Sequence, residues 1–227
     1  MNADTFDCPE AVSRNIGLLT EGEQQTLRRS TVAIAGTGAV GGHSLLTLAR
    51  MGIGRFTIAD PDVFEEVNIH RQCGAYVNSL GRSKVQVMSE MVRAINPQAH
   101  VRKFPRGVTA ENAEAFLAGA DLVLDGIDYF QVDARLTLHG EARKAGLYVI
   151  LSAPIAYGAT LHVFEPRGVS LADYAGITPG MTRAERLAAF SASLVPNLAV
   201  AARLDPSRVD FAGETGPALV STVMLSA

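Results

Sequence analysis

The apolar residues of this chain follow two alternating patterns. Short β-rich runs, TVAIAG at 31–36, FTIAD at 56–60, HVRKF at 100–104, DLVLDG at 121–126 and YVILSAP at 148–154, predict strands. Those without polar alternation predict strands covered on both faces, as in a parallel sheet. Between them, helical spacing predicts helices over 21–29, from the glycine-rich turn through Arg50, over 83–95, within 111–119 and over 133–145. Met51-Gly52-Ile53-Gly54, Asn96-Pro97 and Gly146 supply the stops. The order β-α-β-α-β-α-β-α-β predicts an α/β fold: a doubly wound, mostly parallel, Rossmann-like sheet with a C-terminal extension.

Beyond the fifth run the pattern changes. ATLHVFE at 159–165 alternates like a half-buried strand, and a looser segment begins at Arg167-Gly168. Residues 182–203 have helical character that Pro196-Asn197 should break or kink. The stretch 205–217 is rich in Pro, Gly and Asp, and ALVSTVMLSA at 218–227 reads as the start of a truncated C-terminal helix. Three regions are expected: an N-terminal arm and helix (1–30), a nucleotide-binding domain (31–165) and a C-terminal extension (166–227). The stretch 61–82 is polar and irregular, long for a βα connection, which marks it as functional.

Composition narrows the classes. With 48% apolar and 19% charged residues the chain is a folded globule rather than a disordered one. A net charge of −3 gives no global field for nucleic acid or an anionic membrane, so any phosphate binding must be local and nucleic acid is not an expected partner. No run of about 18 apolar residues predicts a membrane span, and MNADTFDCPE lacks the basic and apolar regions of a signal peptide. A cytoplasmic protein is expected. The two cysteines, Cys8 and Cys73, form no C-x-x-C, so neither a zinc site nor a disulfide framework is expected. Cys73 follows Arg71, a cation that could activate it, but a small buried thiol is the commoner case. Cys8 and the five histidines receive no role.

The chemistry begins at Gly36-x-Gly38-x-x-Gly41, between a buried run and a helix that opens with Ala39 and Val40. The first glycine makes the tight turn, the second lets backbone approach a phosphate, and the third lets helix and strand pack closely. The helix N-terminus offers free N–H groups to an anion. Asp60, 24 residues after Gly36, stands where an acid accepts from ribose hydroxyls. Alone, these features favour an NAD-dependent oxidoreductase. The next segment shifts the balance, because a dehydrogenase has no evident need for Asn68, Arg71, Gln72 and Lys84. Attack of a carboxylate on a nucleotide phosphate brings anion to anion, and cations must neutralise the charge that builds up.

Several elements occur in a set order: Arg14-Asn15-Ile16 with Gln24-Gln25-x-Leu27; the Gly36–Gly42 turn; Asp60-x-Asp62 leading to Asn68-x-x-Arg71-Gln72; Gly81-x-x-Lys84; Ile95-Asn96-Pro97; and Asp125-x-x-Asp128. In this the chain resembles, over about residues 11–165, the adenylating superfamily of ubiquitin-activating enzymes and their bacterial relatives ThiF, MoeB and HesA. The resemblance implies an ATP-dependent adenylyltransferase that turns a carboxylate into an acyl-adenylate. The acceptor would be the C-terminus of a ubiquitin-like or sulfur-carrier protein, or a peptide. It implies that the Gly36–Gly41 backbone holds ATP phosphates, with Asp60, neighboured by Asp62, on the ribose. Asn68, Arg71, Gln72 and Lys84 would contact the nucleotide, and Asp128 would hold Mg²⁺. Arg14 would reach the ATP of the other subunit of a homodimer. Three departures stand out: zinc-binding C-x-x-C pairs are missing, no cysteine follows Cys73, and Tyr129 replaces the usual Asn after Asp128. A tRNA-bound carboxylate and a non-catalytic scaffold of the same family are the remaining alternatives.

Overall fold

A computed structural model of the chain describes residues 8–194, 205–214 and 216–227. A short helical turn α1 (Cys8–Ala11) and helix α2 (Glu21–Arg29) precede the sheet. Then follow β1 (Thr31–Ala35), α3 (Ala39–Arg50), β2 (Arg55–Ala59), α4 (Lys84–Ile95), β3 (His100–Phe104), α5 (Ala113–Leu117), β4 (Leu122–Asp125), α6 (Val132–Lys144), β5 (Val149–Ile155) and β6 (Gly158–Phe164). The extension carries α7 (Leu171–Ala175), α8 (Arg183–Leu194) and α9 (Val220–Ser226).

The six strands lie in the order β3-β2-β1-β4-β5-β6, with the first five parallel and β6 antiparallel to β5. The sheet is therefore the expected doubly wound α/β architecture. Its strand order reverses between β1 and β4, where open sheets of this kind bind ligands. The register sets Ala35 level with Ala59 on one side and Asp125 on the other, so the turns that leave β1, β2 and β4 open into one crevice.

Burial explains the apolar runs. Val32 and Ile34 face a cluster with Leu45, Phe56, Ile58 and Met88 beneath α3 and α4. Ala33 and Ala35 face a second cluster with Phe116, Val123 and Leu138 beneath α5 and α6. Each fully buried Ile or Phe contributes about 2–3 kcal/mol of hydrophobic free energy. A third cluster joins Phe130, Val132 and Leu151 to Leu171, Leu187, Phe190 and Leu194 of α7 and α8.

Several segments differ from their sequence reading. The segment after Arg167-Gly168 contains α7, whose cap is local: Ser170 Oγ accepts from Asp173 N at 3.1 Å. Cys8 is not an idle residue of a polar leader but is buried at 4% exposure, next to buried Val12. Helix α8 is described over Arg183–Leu194, and Pro196-Asn197 lies outside the described residues. A helix does form near the end of the sequence: α9 lies against α3, β5 and β6, and Thr222 Oγ1 donates to Ala156 O at 2.7 Å. No helix among the described residues is long and apolar enough to cross a membrane.

Candidate functional site

The glycine turn is built by close backbone contact. Gly36 has a φ of +84°, and a Cβ there would stand 2.1 Å from Gly126 O. A Cβ on Gly41 would stand 1.9 Å from Gly36 O. Both positions therefore exclude any side chain, and the β1–α3 turn presses on the turn that leaves β4. Gly38 is different: its nearest neighbour is Gln72 Nε2 at 3.3 Å, the end of a side chain. Gly38 caps α3 without a side-chain hydrogen bond, so the first N–H groups at Ala39 and Val40 point out of the helix unclaimed by a cap.

Asp60 braces this turn from β2. Its Oδ2 accepts from Thr37 N at 2.7 Å and Thr37 Oγ1 at 3.3 Å, and its Oδ1 accepts from Asp62 N at 3.0 Å. Burial pushes its carboxyl pKa up, against the opposing charge of Lys84. The site residue read as a ribose acceptor thus already holds two backbone N–H groups, with lone-pair capacity left over for a hydroxyl. Lys84, buried at 6% exposure, donates to Asp62 Oδ2 at 3.0 Å.

The irregular stretch after Asp60 folds back on itself around Phe64, which is wholly buried and whose N–H donates to Arg82 O at 3.0 Å. That return brings Lys84 beside Asp62 and puts Asn68 and Gln72 indoors at 6% and 7% exposure. Asn68 Oδ1 accepts from Glu65 N at 3.0 Å. Gln72 Oε1 is buried with no hydrogen-bond partner, directly against Gly38. An orphaned acceptor in this position suits a site that awaits a polar ligand. Arg71 is half-buried, and its Nη1 donates to Val67 O at 2.8 Å. Burial pushes its pKa down while the Asp128 carboxylate opposes the shift, which places Arg71 and Asp128 within electrostatic reach of each other.

Asp128 stands on the other wall, beyond β4. It is exposed, and its Oδ1 accepts from Phe130 N at 2.9 Å. Among the described residues no other hydrogen bond engages this carboxylate, and no cluster of three or more His, Cys, Asp or Glu could hold a metal. A metal here would rest on Asp128 and nucleotide oxygens, which is how Mg²⁺ is commonly held, so the donor chemistry fits.

Sequence reasoning missed the support beneath Asp128. Asp125, fully buried, accepts from Arg135 Nε at 2.8 Å, and His139 Nε2 lies 2.8 Å from the same oxygen. Burial would raise this carboxyl, but Arg135 and His139 prevail and hold it below the usual range. Arg135 also donates to Ile127 O and, at 3.4 Å, to Asp128 O. Arg135 and His139 share one face of α6 at i, i+4 spacing, a signal that was available. Tyr129, in place of the usual Asn, turns toward α8, where its hydroxyl meets Ser191 Oγ and its ring packs on Phe190.

One predicted site residue lies apart from the crevice. Arg14 is exposed on a turn beside Asn15, whose side chain binds Gln24, which in turn donates to Met51 O at 2.9 Å. That anchor is the far end of α3, about 18 Å along the helix from the glycine turn. Arg14 therefore does not join its own chain's site. Cys73 packs near Gly42, and burial pushes its thiol up to about 11, the opposite of activation by Arg71. The outlined clefts also lie elsewhere: one of about 640 Å³ lined by Cys8, Val12, Leu46 and Met91, and one of about 220 Å³ between α6 and α7.

Comparison with known proteins bears on this crevice. The family model described as the ThiF family matches residues 12–204. The chain is 34% identical over 134 residues to a tRNA threonylcarbamoyladenosine dehydratase of Haemophilus influenzae, covering 59% of this chain and 51% of that protein. It is 32% identical over 136 residues to a sulfur carrier protein adenylyltransferase of Thermus thermophilus, covering 60% and 47%. The E. coli dehydratase TcdA, solved in complex with ATP, superposes with a TM-score of 0.62 at 27% identity, covering 65% of this chain and 61% of that one. The chain spans about half the length of the curated relatives it matches.

Proposed function

The chain belongs to the ThiF family, and from that premise we propose that it is an ATP-dependent adenylyltransferase. A carboxylate oxygen of the acceptor attacks the α-phosphorus, the bond to the β-phosphate's bridging oxygen breaks, and pyrophosphate leaves with that electron pair. The product is an acyl-adenylate. The single observation that carries this reading is a half-buried Arg71 within electrostatic reach of Asp128, beside a turn whose Gly36 and Gly41 have no room for a side chain.

In this reading the backbone of Gly36, Gly38, Ala39, Val40 and Gly41 receives the phosphates. Asp60 adds a ribose hydroxyl to the two N–H groups it already holds. Arg71 swings from Val67 O to the triphosphate, and Asn68, Gln72 and Lys84 complete the polar wall. Asp128 would hold Mg²⁺, which supplies neutralising charge to the phosphates when bound. Adenylation belongs to residues 31–165. Residues 155–181, with the small residues of Ala156-Tyr157-Gly158-Ala159, would guide the acceptor, the C-terminus of a sulfur-carrier or ubiquitin-like protein or a peptide. Arg14, anchored far from its own crevice, would enter the site of a second copy in a homodimer.

The names of the relatives favour one further acceptor. An ATP-driven dehydratase can also proceed through an adenylate, because phosphorus carries the departing oxygen away as AMP, and this admits a tRNA-borne carboxylate. Pyrophosphate–ATP exchange tests both. Exchange that depends on a carrier protein or peptide supports the leading proposal, exchange that depends on tRNA supports the second, and no exchange with no ATP binding removes both. A thermal shift with NAD and none with ATP·Mg²⁺ would instead favour an oxidoreductase.

A further inference from the structure

The turn that carries Asp128 is gripped from outside the sheet. On its inner side Arg135 donates to Asp128 O. On its outer side two residues of the extension take hold two and three positions after Asp128. Arg183 Nη2, at the start of α8, donates to Phe130 O at 3.2 Å, and Glu214 Oε2 accepts from Gln131 Nε2 at 2.7 Å. The two gripping residues are joined to each other by an Arg183–Glu214 ion pair.

Stability does not account for this arrangement. Arg183 and Glu214 side chains are 51% and 32% exposed, and an ion pair so placed contributes little to stability because solvent screens it. Glu214 also adopts a φ of +51°, a left-handed conformation that a residue of its type rarely takes. Such strain persists where surrounding contacts over-determine it, and among the described residues the Glu214 carboxylate bonds to Arg183 and Gln131. Phe211 adds an edge-to-face contact on Phe130, with ring centroids 6.2 Å apart.

We infer that Arg183 and Glu214 are a positioning clamp that sets the Asp128 carboxylate toward the nucleotide's metal. The clamp ties the extension, 53 and 83 residues further along the chain, to the turn that carries the exposed acid of this wall of the crevice. Neither residue touches substrate. Both act through the backbone and side chain of the turn, as outer partners of metal ligands do, and loss of such partners typically weakens metal affinity about 10–100-fold. The inference depends on the proposed role of Asp128.

The test is a Mn²⁺ titration of the full chain with saturating ATP, followed by the free-ion EPR signal, on wild type, Asp128→Asn, Arg183→Met, Glu214→Ala and the Arg183→Met/Glu214→Ala double variant. Both single clamp variants should weaken Mn²⁺ about tenfold, with metal-free ATP affinity and melting temperature close to wild type. The double variant should be no more than about threefold worse than the weaker single one, since one device is lost either way. Wild-type Mn²⁺ affinity in both singles, or fully additive losses, while Asp128→Asn binds poorly, overturns the clamp and leaves the site standing. Wild-type affinity in Asp128→Asn overturns the reading of Asp128, and the clamp falls with it.

Discussion

The two walls of the crevice are made differently. The wall from β1 and β2 is sealed: Asp60, Asn68, Gln72 and Lys84 are all buried, and Asp60, Asn68 and Lys84 are hydrogen-bonded to their neighbours Thr37, Glu65 and Asp62. The wall from β4 is open: Asp128 is exposed, and the turn beneath it is held by Arg135 on one side and by Arg183 and Glu214 on the other. A sealed wall derives its precision from the fold itself. An open one needs anchors, and here two of them come from the extension.

The comparison breaks most violently at the foundations. Gly36→Ala or Gly41→Ala drives a Cβ into backbone at 2.1 or 1.9 Å, and either should cost roughly 3–5 kcal/mol and destroy the sealed wall outright, measured by urea unfolding. Asp125→Asn should cost about 3–5 kcal/mol as well, because it strands buried Arg135. The sign of the pH effect follows from a carboxyl held below its usual value. Its stabilisation is present above the unfolded carboxyl's pKa and is lost as pH falls through the folded one, so wild type should lose stability below about pH 4 more steeply than the variant.

Next in size is catalysis. Arg71→Ala should lower pyrophosphate exchange about 10²–10³-fold with the melting temperature nearly unchanged, the signature of charge stabilisation rather than folding. Gly38→Ala sharpens the comparison, because its Cβ would meet only the end of Gln72 at 3.3 Å. It should fold and bind ATP about tenfold more weakly, since an added side chain keeps a phosphate from the backbone. The smallest effect concerns Cys73. With its thiol near 11, alkylation at pH 8 should be at least about tenfold slower than for a free thiol. Cys73→Ala should keep exchange within about twofold of wild type.

Legibility in the sequence followed the same division. The sealed wall could be read because its parts lie within one crossover: Gly36 to Gly41, Asp60 to Asp62, and Asn68 to Lys84 sit at fixed short spacings. Asp125-x-x-Asp128 was legible for the same reason. Its supports were not, since Arg183 meets Phe130 across 53 residues and Glu214 meets Gln131 across 83, separations that leave no periodic trace. Asp60 was seen as a ribose acceptor, but its bonds to Thr37 and Asp62 depend on a turn geometry that spacing does not encode. The burial of Cys8 was not legible because its sequence neighbours are polar, while it shares the lining of a cleft with residues of α3 and α4.

The central claim, that fixed positive groups and Asp128 face a bound triphosphate over the glycine turn, is tested most directly by calorimetric titration of ATP·Mg²⁺ into wild type and the Arg71→Ala variant. The account predicts saturable binding by wild type, at least about tenfold weaker binding by the variant, and no heat from NAD at the same site. Equal affinity in the two proteins, or NAD binding in preference to ATP, would contradict it.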